Sequence, residues 1–400
     1  MRNVIKRTSK KGGISYLIRV SAGYDANGRQ VKKSMTWKPS LNMTERQIEK
    51  ELTAQSVAFE ERVKNGGSTD EKIKFGEYAD KWLETNQPKY APITYTRYKN
   101  LLIRINEVLG HIKIGKLQPM HLYGFYNKLQ EVTSRKTGEK LSPQTIKHYH
   151  RCISAILAQA ARERVIPVNI STRQFMDAPK IPKKEIAYLD DEKAKQFTAY
   201  LSEESDIRIK TALTLLIYSG CRLGELCGFT WADCDFKACT VTVNQTSQYC
   251  HSYGVIEKSP KNETSKRTIK LSKYVFELLA EYRTWYILKK LNCGMVWTDS
   301  DRLFTQETGK PIIPNTINKW LNTFVKKHDL PHITPHSLRH TNITLMISNG
   351  VDIRTVASKA GHSRTSTTLD IYSHALQAYE EKATAVIDEI LTPKSLVVSY

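Results

Sequence analysis

No apolar run in the 400 residues approaches the roughly 18 needed for a membrane-spanning helix. The opening residues, MRNVIKRTSKKGG, contain no apolar stretch of the kind a secretion signal requires. These two absences argue against a membrane protein and predict a cytoplasmic one. Cysteine is sparse: Cys152, Cys221, Cys227, Cys234, Cys239, Cys250 and Cys293 form an odd, scattered set with no C-x-x-C pair. That pattern argues against a disulfide framework and against a cysteine-type zinc centre, and predicts buried free thiols. There is no internal repeat and no low-complexity tract. Acidic charge is the largest shortfall, with 40 Asp+Glu against 61 Lys+Arg and a formal net charge of +21. Without a membrane segment, that excess points to nucleic acid or to simple solubility.

What is present falls into three segments, a multidomain α+β organisation spanning 1–66, 72–178 and 186–400. Residues 1–40 carry ten basic residues and one acid, Asp25. ISYLIRVSA and VKKSMTWKP alternate as half-buried strands do, and Asp25, Asn27 and Gly28 supply a turn between them. Thr44 with Gln47 resembles a capping box, opening a helix that runs to about Lys64. A small sheet plus one helix is therefore predicted. Its local basic excess favours contact with DNA through Arg19, Lys32 and Lys33.

NGGST at 65–69 reads as a flexible linker. From Ile73 to about Asn169 the pattern is helical. Phe75, Tyr78, Ala79, Trp82 and Leu83 recur at helical spacing, as do Tyr95, Tyr98, Leu101, Leu102 and Ile105. These aromatic stripes read as core rather than as a stacking platform for bases. Ser142 caps a third long helix with Pro143 at its first position. Lys147 and Arg151 share one face of it, suited either to phosphate contact or to plain solvation. GHIKIGKL at 110–117 imitates a phosphate-binding loop. It follows a helix rather than a strand, and Leu117 stands where the magnesium-binding hydroxyl belongs, so a nucleotide site is not expected.

After a second linker around DAPKIPKKE comes a mixed, mainly helical region with a small antiparallel sheet. IRIKTALTLLIYSG reads as a buried helix with a glycine cap. CTVTVNQTSQY and VIEKSPKNETSKRTIKL read as strands around a turn, and the chain is helical again from Asn315. Breaking a phosphodiester without metal needs a nucleophile, cationic donors for the non-bridging oxygens, a proton acceptor and a proton donor. This region carries candidates for all four. HSLRH at 336–340 places His336 and Arg339 together, and GHSRTSTTLDIY at 361–372 follows with His362 and Tyr372. His336 and His340 stand at the spacing of a zinc helix, but Ser337 occupies the position of the glutamate in H-E-x-x-H, so no metal is expected.

These residues resemble the catalytic domain of the tyrosine recombinases, the integrase family of site-specific DNA recombinases. GCRLGELCGFTWADCDF at 220–236 is similar to the family's first box and places its arginine at Arg222. PKNETSKRTIKL at 260–271 is similar to its lysine hairpin and places the lysine at Lys261, with Asn262 where the family usually has Thr. HSLRH, AGH and LDIYSH supply the remaining positions as His336, Arg339, His362 and Tyr372. The resemblance implies that Arg222 and Arg339 grip phosphate, that His336 takes a proton and Lys261 gives one, and that His362 adds a hydrogen bond. It also implies that Tyr372 holds DNA as a 3′-phosphotyrosine. Tyr379 is the other candidate nucleophile, but it falls on an apolar helical stripe with Ala383, Val386, Ile387, Ile390 and Leu391. Glu225 is implied to serve structure.

The first two segments resemble the family's arm-binding and core-binding domains. The implied partner is double-stranded DNA at attachment and arm sites, with no cofactor. A tetramer on DNA, an excision factor and a host DNA-bending protein are implied as well. The tail, about 376–400, is implied to dock on a neighbouring protomer. A type IB topoisomerase and a non-catalytic DNA-binding regulator are the alternative readings.

Overall fold

The computed structural model describes residues 4–8, 13–24, 28–40, 42–64, 73–134, 138–182, 187–258, 266–361, 387–388 and 390–391. The chain divides into two compact units, 1–183 and 184–400. Among the described residues no helix is long and apolar enough to cross a membrane.

The first unit opens with an antiparallel sheet, β1 (Val4–Thr8), β2 (Ile14–Tyr24) and β3 (Gln30–Trp37), in that order. Helix α1 (Glu45–Lys64) follows, begun by the Thr44–Gln47 pair: the Thr44 amide donates to Gln47 Oε1 at 2.9 Å. Ile18 and Val20 pack against Leu52, Phe59 and Val63 of α1. Strand alternation then decides where the basic side chains go. Arg19 sits opposite Ser34 and Lys32 opposite Ser21, both on the exposed sheet face. Lys33 sits opposite Val20, on the face that packs against α1.

The rest of this unit is helical: α2 (Phe75–Asn86), α3 (Pro92–Leu109), α4 (Pro119–Glu131) and α5 (Pro143–Arg162). Their shared core includes Phe75, Trp82, Ile105, Phe125, Ile153 and Ile156. The aromatic stripes are part of it. Tyr98 meets Trp82 and Tyr90 edge to face, with ring centroids 5.3 and 5.1 Å away. Ser142 Oγ accepts the Thr145 amide at 3.2 Å, capping α5 ahead of Pro143. Lys147 is half-buried and Arg151 exposed on that helix. In GHIKIGKL, Gly110 ends α3, and Ile114–Lys116 makes one 3-10 turn around the buried Ile114.

The second unit runs α6 (Asp191–Ser202), α7 (Ile207–Ser219), α8 (Leu223–Leu226), β4 (Cys234–Asp235), β5 (Thr240–Val243), β6 (Thr246–Cys250), β7 (Gly254–Lys258), β8 (Arg267–Lys270), α9 (Lys273–Cys293), α10 (Pro314–Lys327), α11 (Pro335–Ser348) and α12 (Ile353–Ala360). The strand pairing is not a simple run of neighbours. β5 skips the β6–β7 hairpin and pairs with β8, Val241 opposite Ile269. Both of these residues are buried in the main core with Leu215, Leu216, Leu279 and Phe324. Of the tail, Ile387, Ile390 and Leu391 are described and exposed.

α7 ends where the sequence predicts. Gly220 caps it at φ +63°, and its amide donates to the Leu216 carbonyl. An added Cβ there would lie 2.6 Å from Asn342 Oδ1. Gly220→Ala is therefore expected to destabilise by more than about 1 kcal/mol, since strain and collision act together. A urea melt of the two proteins measures it.

Candidate active site

The site is built on the ends of two helices, α7 and α12, and the starts of two others, α8 and α11. Gly220 closes α7, and after Cys221 the chain turns directly into α8 with Arg222 at its N-cap. Glu225, three residues on, accepts the Arg222 amide at 2.8 Å and the Arg222 Nη1 at 2.8 Å. The same carboxylate receives the Arg267 Nη2 at 2.8 Å and its Nη1 at 3.2 Å. Glu225 is 2% exposed, so the two guanidiniums share one buried negative charge. Burial pushes the Glu225 carboxyl up, but the hydrogen bond and charge of Arg267, with the Arg222 amide, outweigh it and hold the net value below 4.5.

That balance has a stability consequence. Glu225→Ala removes the buried carboxylate that Arg267 and Arg222 share, and is expected to destabilise by about 3–5 kcal/mol. In the unmodified protein the contribution is fully present above pH 4.5, where the carboxyl ionises in the unfolded chain. It fades as pH falls through the lower folded value. Denaturant melts at stepped pH follow both effects.

Arg339 comes from α11. Thr334 caps that helix, its Oγ1 accepting the Ser337 amide at 3.2 Å, and Pro335 takes the first position. His336 and Arg339 then stand one turn apart. Arg339 is 1% exposed. Its Nη1 donates to the Gly220 carbonyl at 2.7 Å and its Nη2 to the Ala360 carbonyl at 2.6 Å. Burial, then the charge of Arg222, lowers its pKa to about 10, which leaves it cationic at neutral pH. Arg222 is more open, with its side chain 43% exposed and its Nη2 3.2 Å from the Gly361 carbonyl. The two arginines thus reach successive carbonyls at the end of α12.

His336 keeps an exposed edge, and its ring meets that of buried His340 edge-on at 4.4 Å. The covered part of the ring, then the charges of Arg339 and Arg222, holds its pKa below 6.5. It is therefore neutral at pH 7 and able to accept a proton. Cys221, between Gly220 and Arg222, is fully buried, and burial pushes its thiol up to about 12. Cys152 and Cys227 are pushed to a similar value for the same reason. These thiols are inert fillers of the core.

Of the six sequence-predicted catalytic residues, Arg222, His336 and Arg339 are brought together. Lys261, His362 and Tyr372 lie outside the described residues. Lys261 falls in the chain between β7 and β8, and His362 directly follows Gly361, whose carbonyl Arg222 holds. Arg267 is the residue that sequence reasoning left without a role. Its one signal was its place in the S-x-R-x-I stretch, two residues after Ser265.

Residues 187–378 match the phage integrase family, and residues 74–130 match the N-terminal SAM-like domain of phage integrases. A tyrosine recombinase XerC-like protein of Caldanaerobacter subterraneus subsp. tengcongensis is 25% identical over 95% of this chain and 97% of its own length. The transposase from transposon Tn916 of Enterococcus faecalis is 25% identical over 72% of this chain and 71% of its own. Among solved structures, the Tn1549 transposon integrase in complex with a circular intermediate DNA superposes with a TM-score of 0.65. That match is 19% identical and covers 78% of this chain and all of the other. It bears on the fold.

Proposed function

The chain belongs to the phage integrase family of tyrosine recombinases and is a tyrosine-type site-specific DNA recombinase; on that premise we propose that it integrates and excises a mobile element through a covalent 3′-phosphotyrosine. The observation that carries this reading is the pairing of Arg222 with Arg339. Two guanidiniums from separate helices converge at the end of α12, immediately before His362.

The chemistry follows from that pairing. Arg222 and Arg339 hold the two non-bridging oxygens of the scissile phosphate and offset the charge of the pentacoordinate transition state. Tyr372 Oη attacks phosphorus as the bond to the 5′-oxygen breaks. Neutral His336 takes the phenolic proton, and Lys261 gives a proton to the departing 5′-oxygen. His362 adds a hydrogen bond to the phosphate. The phosphodiester energy stays in the tyrosyl ester. A 5′-hydroxyl from a second duplex therefore reverses the steps without ATP, by way of a Holliday junction. Residues 1–66 hold arm sites through the exposed face with Arg19 and Lys32, with Lys33 nearby. Residues 72–178, with Lys147 and Arg151, and residues 186–400 clamp the core site. The assembly is a tetramer on DNA, with the tail from about 376 contacting the next protomer. An excision factor and a host DNA-bending protein complete it.

Incubation with a nicked attachment-site duplex tests the reading. A protein–DNA adduct that survives denaturant supports it, and none at all means a non-catalytic regulator. Strand exchange between two duplexes separates a recombinase from a type IB topoisomerase, which gives relaxation alone. The His336 environment adds a pH prediction. Cleavage by the unmodified protein should hold level as pH falls to 6.5, with its acid limb below that value. His336→Gln should lose that limb. A limb above 6.5 would remove His336 as the proton acceptor.

A further inference from the structure

The last two carbonyls of α12 and that of its C-cap Gly361 are each taken by a different arginine. Arg267 Nε donates to Lys359 at 2.7 Å, Arg339 Nη2 to Ala360 at 2.6 Å and Arg222 Nη2 to Gly361 at 3.2 Å. Two of these arginines are the phosphate ligands proposed above. The third is not: the Arg267 side chain is 7% exposed and shares Glu225 with Arg222, whose side chain is 43% exposed. We propose that Arg267 is a positioning residue for strand cleavage, which keeps Arg222 available to phosphate by restraining Glu225, and fixes the chain entering His362. This rests on the recombinase reading of Arg222 and His362.

The argument is one of shared hydrogen bonds. A carboxylate and a guanidinium left to themselves close into a two-point fork. In that arrangement Glu225 would take both terminal nitrogens of Arg222, the groups that phosphate needs. Arg267 prevents this by engaging both Glu225 oxygens itself. The Arg222 guanidinium then reaches only Oε1, through Nη1, while its backbone amide donates to Oε2 and its Nη2 is directed to the Gly361 carbonyl. The same guanidinium ties β8 to α12. Gly361 passes so close, at φ +67°, that a Cβ there would lie 2.7 Å from Arg267 Nη1. Arg267 is also the first residue of β8, directly after the stretch that contains Lys261. One buried side chain thereby links three of the segments that cleavage requires.

Lysine cannot substitute, because one ammonium cannot reach both Glu225 oxygens and the Lys359 carbonyl in this planar arrangement. The test measures single-turnover adduct formation on a nicked attachment-site duplex at saturating protein. Arg267→Gln should cleave about 10²-fold more slowly, the size expected of a misplaced reacting group. Its DNA affinity should be unchanged. The decisive variant is Arg267→Gln/Glu225→Gln, which removes the carboxylate that would otherwise capture Arg222. It should recover about tenfold over Arg267→Gln, an interaction between neighbours that independent damage does not produce. If Arg267→Gln fails to fold, Arg267→Lys replaces it in both comparisons. An Arg267 variant cleaving at the unmodified rate overturns the proposal, as does a double variant no faster than the single one. Absence of adduct from the unmodified protein defeats the recombinase reading instead, and so is distinguishable.

Discussion

Tyr372→Phe should abolish the covalent adduct and leave DNA binding intact. Phenylalanine keeps the ring and removes only the oxygen that would bond to phosphorus. Losing a nucleophile differs in kind from losing a donor, since no neighbouring group can complete the ester. A free phenol ionises near pH 10, so a tyrosine nucleophile needs nearby cations to react near neutrality. Arg222 and Arg339 supply that field whether or not the hydroxyl is there, which is why affinity should survive. Gel separation after denaturation measures the adduct, and a mobility shift measures binding. An adduct persisting in Tyr372→Phe would transfer the role to another tyrosine, with Tyr379 first in line.

Arg339→Ala should lower both cleavage and stability. Removing one cationic donor from an anionic transition state costs about 10²–10³ in rate. The stability loss has a separate origin. Without the guanidinium, the Gly220 and Ala360 carbonyls lose partners at 2.7 and 2.6 Å in the interior. Each buried acceptor left unpaired costs about 1–3 kcal/mol. Relief of the cost of burying the cation, and then of repulsion from Arg222 and Arg267, offsets part of this, as the depressed Arg339 pKa indicates. The acceptors should dominate, giving a net loss of roughly 2–4 kcal/mol. Urea melts beside single-turnover cleavage separate the two. Slow cleavage at full stability would mean that water replaces the guanidinium.

Much of this was legible where the signal is local. Thr44 with Gln47, Ser142 with Pro143 and the glycine after α7 mark helix ends through bonds spanning three or four residues. The closeness of His336 and Arg339 was legible because their spacing within α11 puts them one turn apart. Strand β1 escaped notice. It is an edge strand whose residues after Val4 are exposed, so it lacks buried alternation. The β5–β8 pairing was hidden because its partners are separated by a complete hairpin, and no local pattern names a distant partner. Arg267 was missed for the same reason: its meaning comes from Glu225, 42 residues earlier. Glu225 itself appeared as structural. That it is divided between two arginines is visible only in three dimensions.

The convergence of α7 and α12 on Arg339 has an electrostatic consequence. Both helices finish there, and the end of a helix carries a partial negative charge of about half a unit. Two such ends meet one buried cation, which is close to neutralised before any nucleic acid arrives. On the recombinase reading, these two backbone ends temper the pull of Arg339 on a phosphate, while Arg222 and Arg267 add positive charge beside it. A small ion such as chloride would have to compete with both backbone ends for Arg339. A DNA phosphate held in place by contacts elsewhere along the duplex does not face that cost alone. On that reading, the folded backbone itself would favour a phosphate docked through the duplex over a free ion.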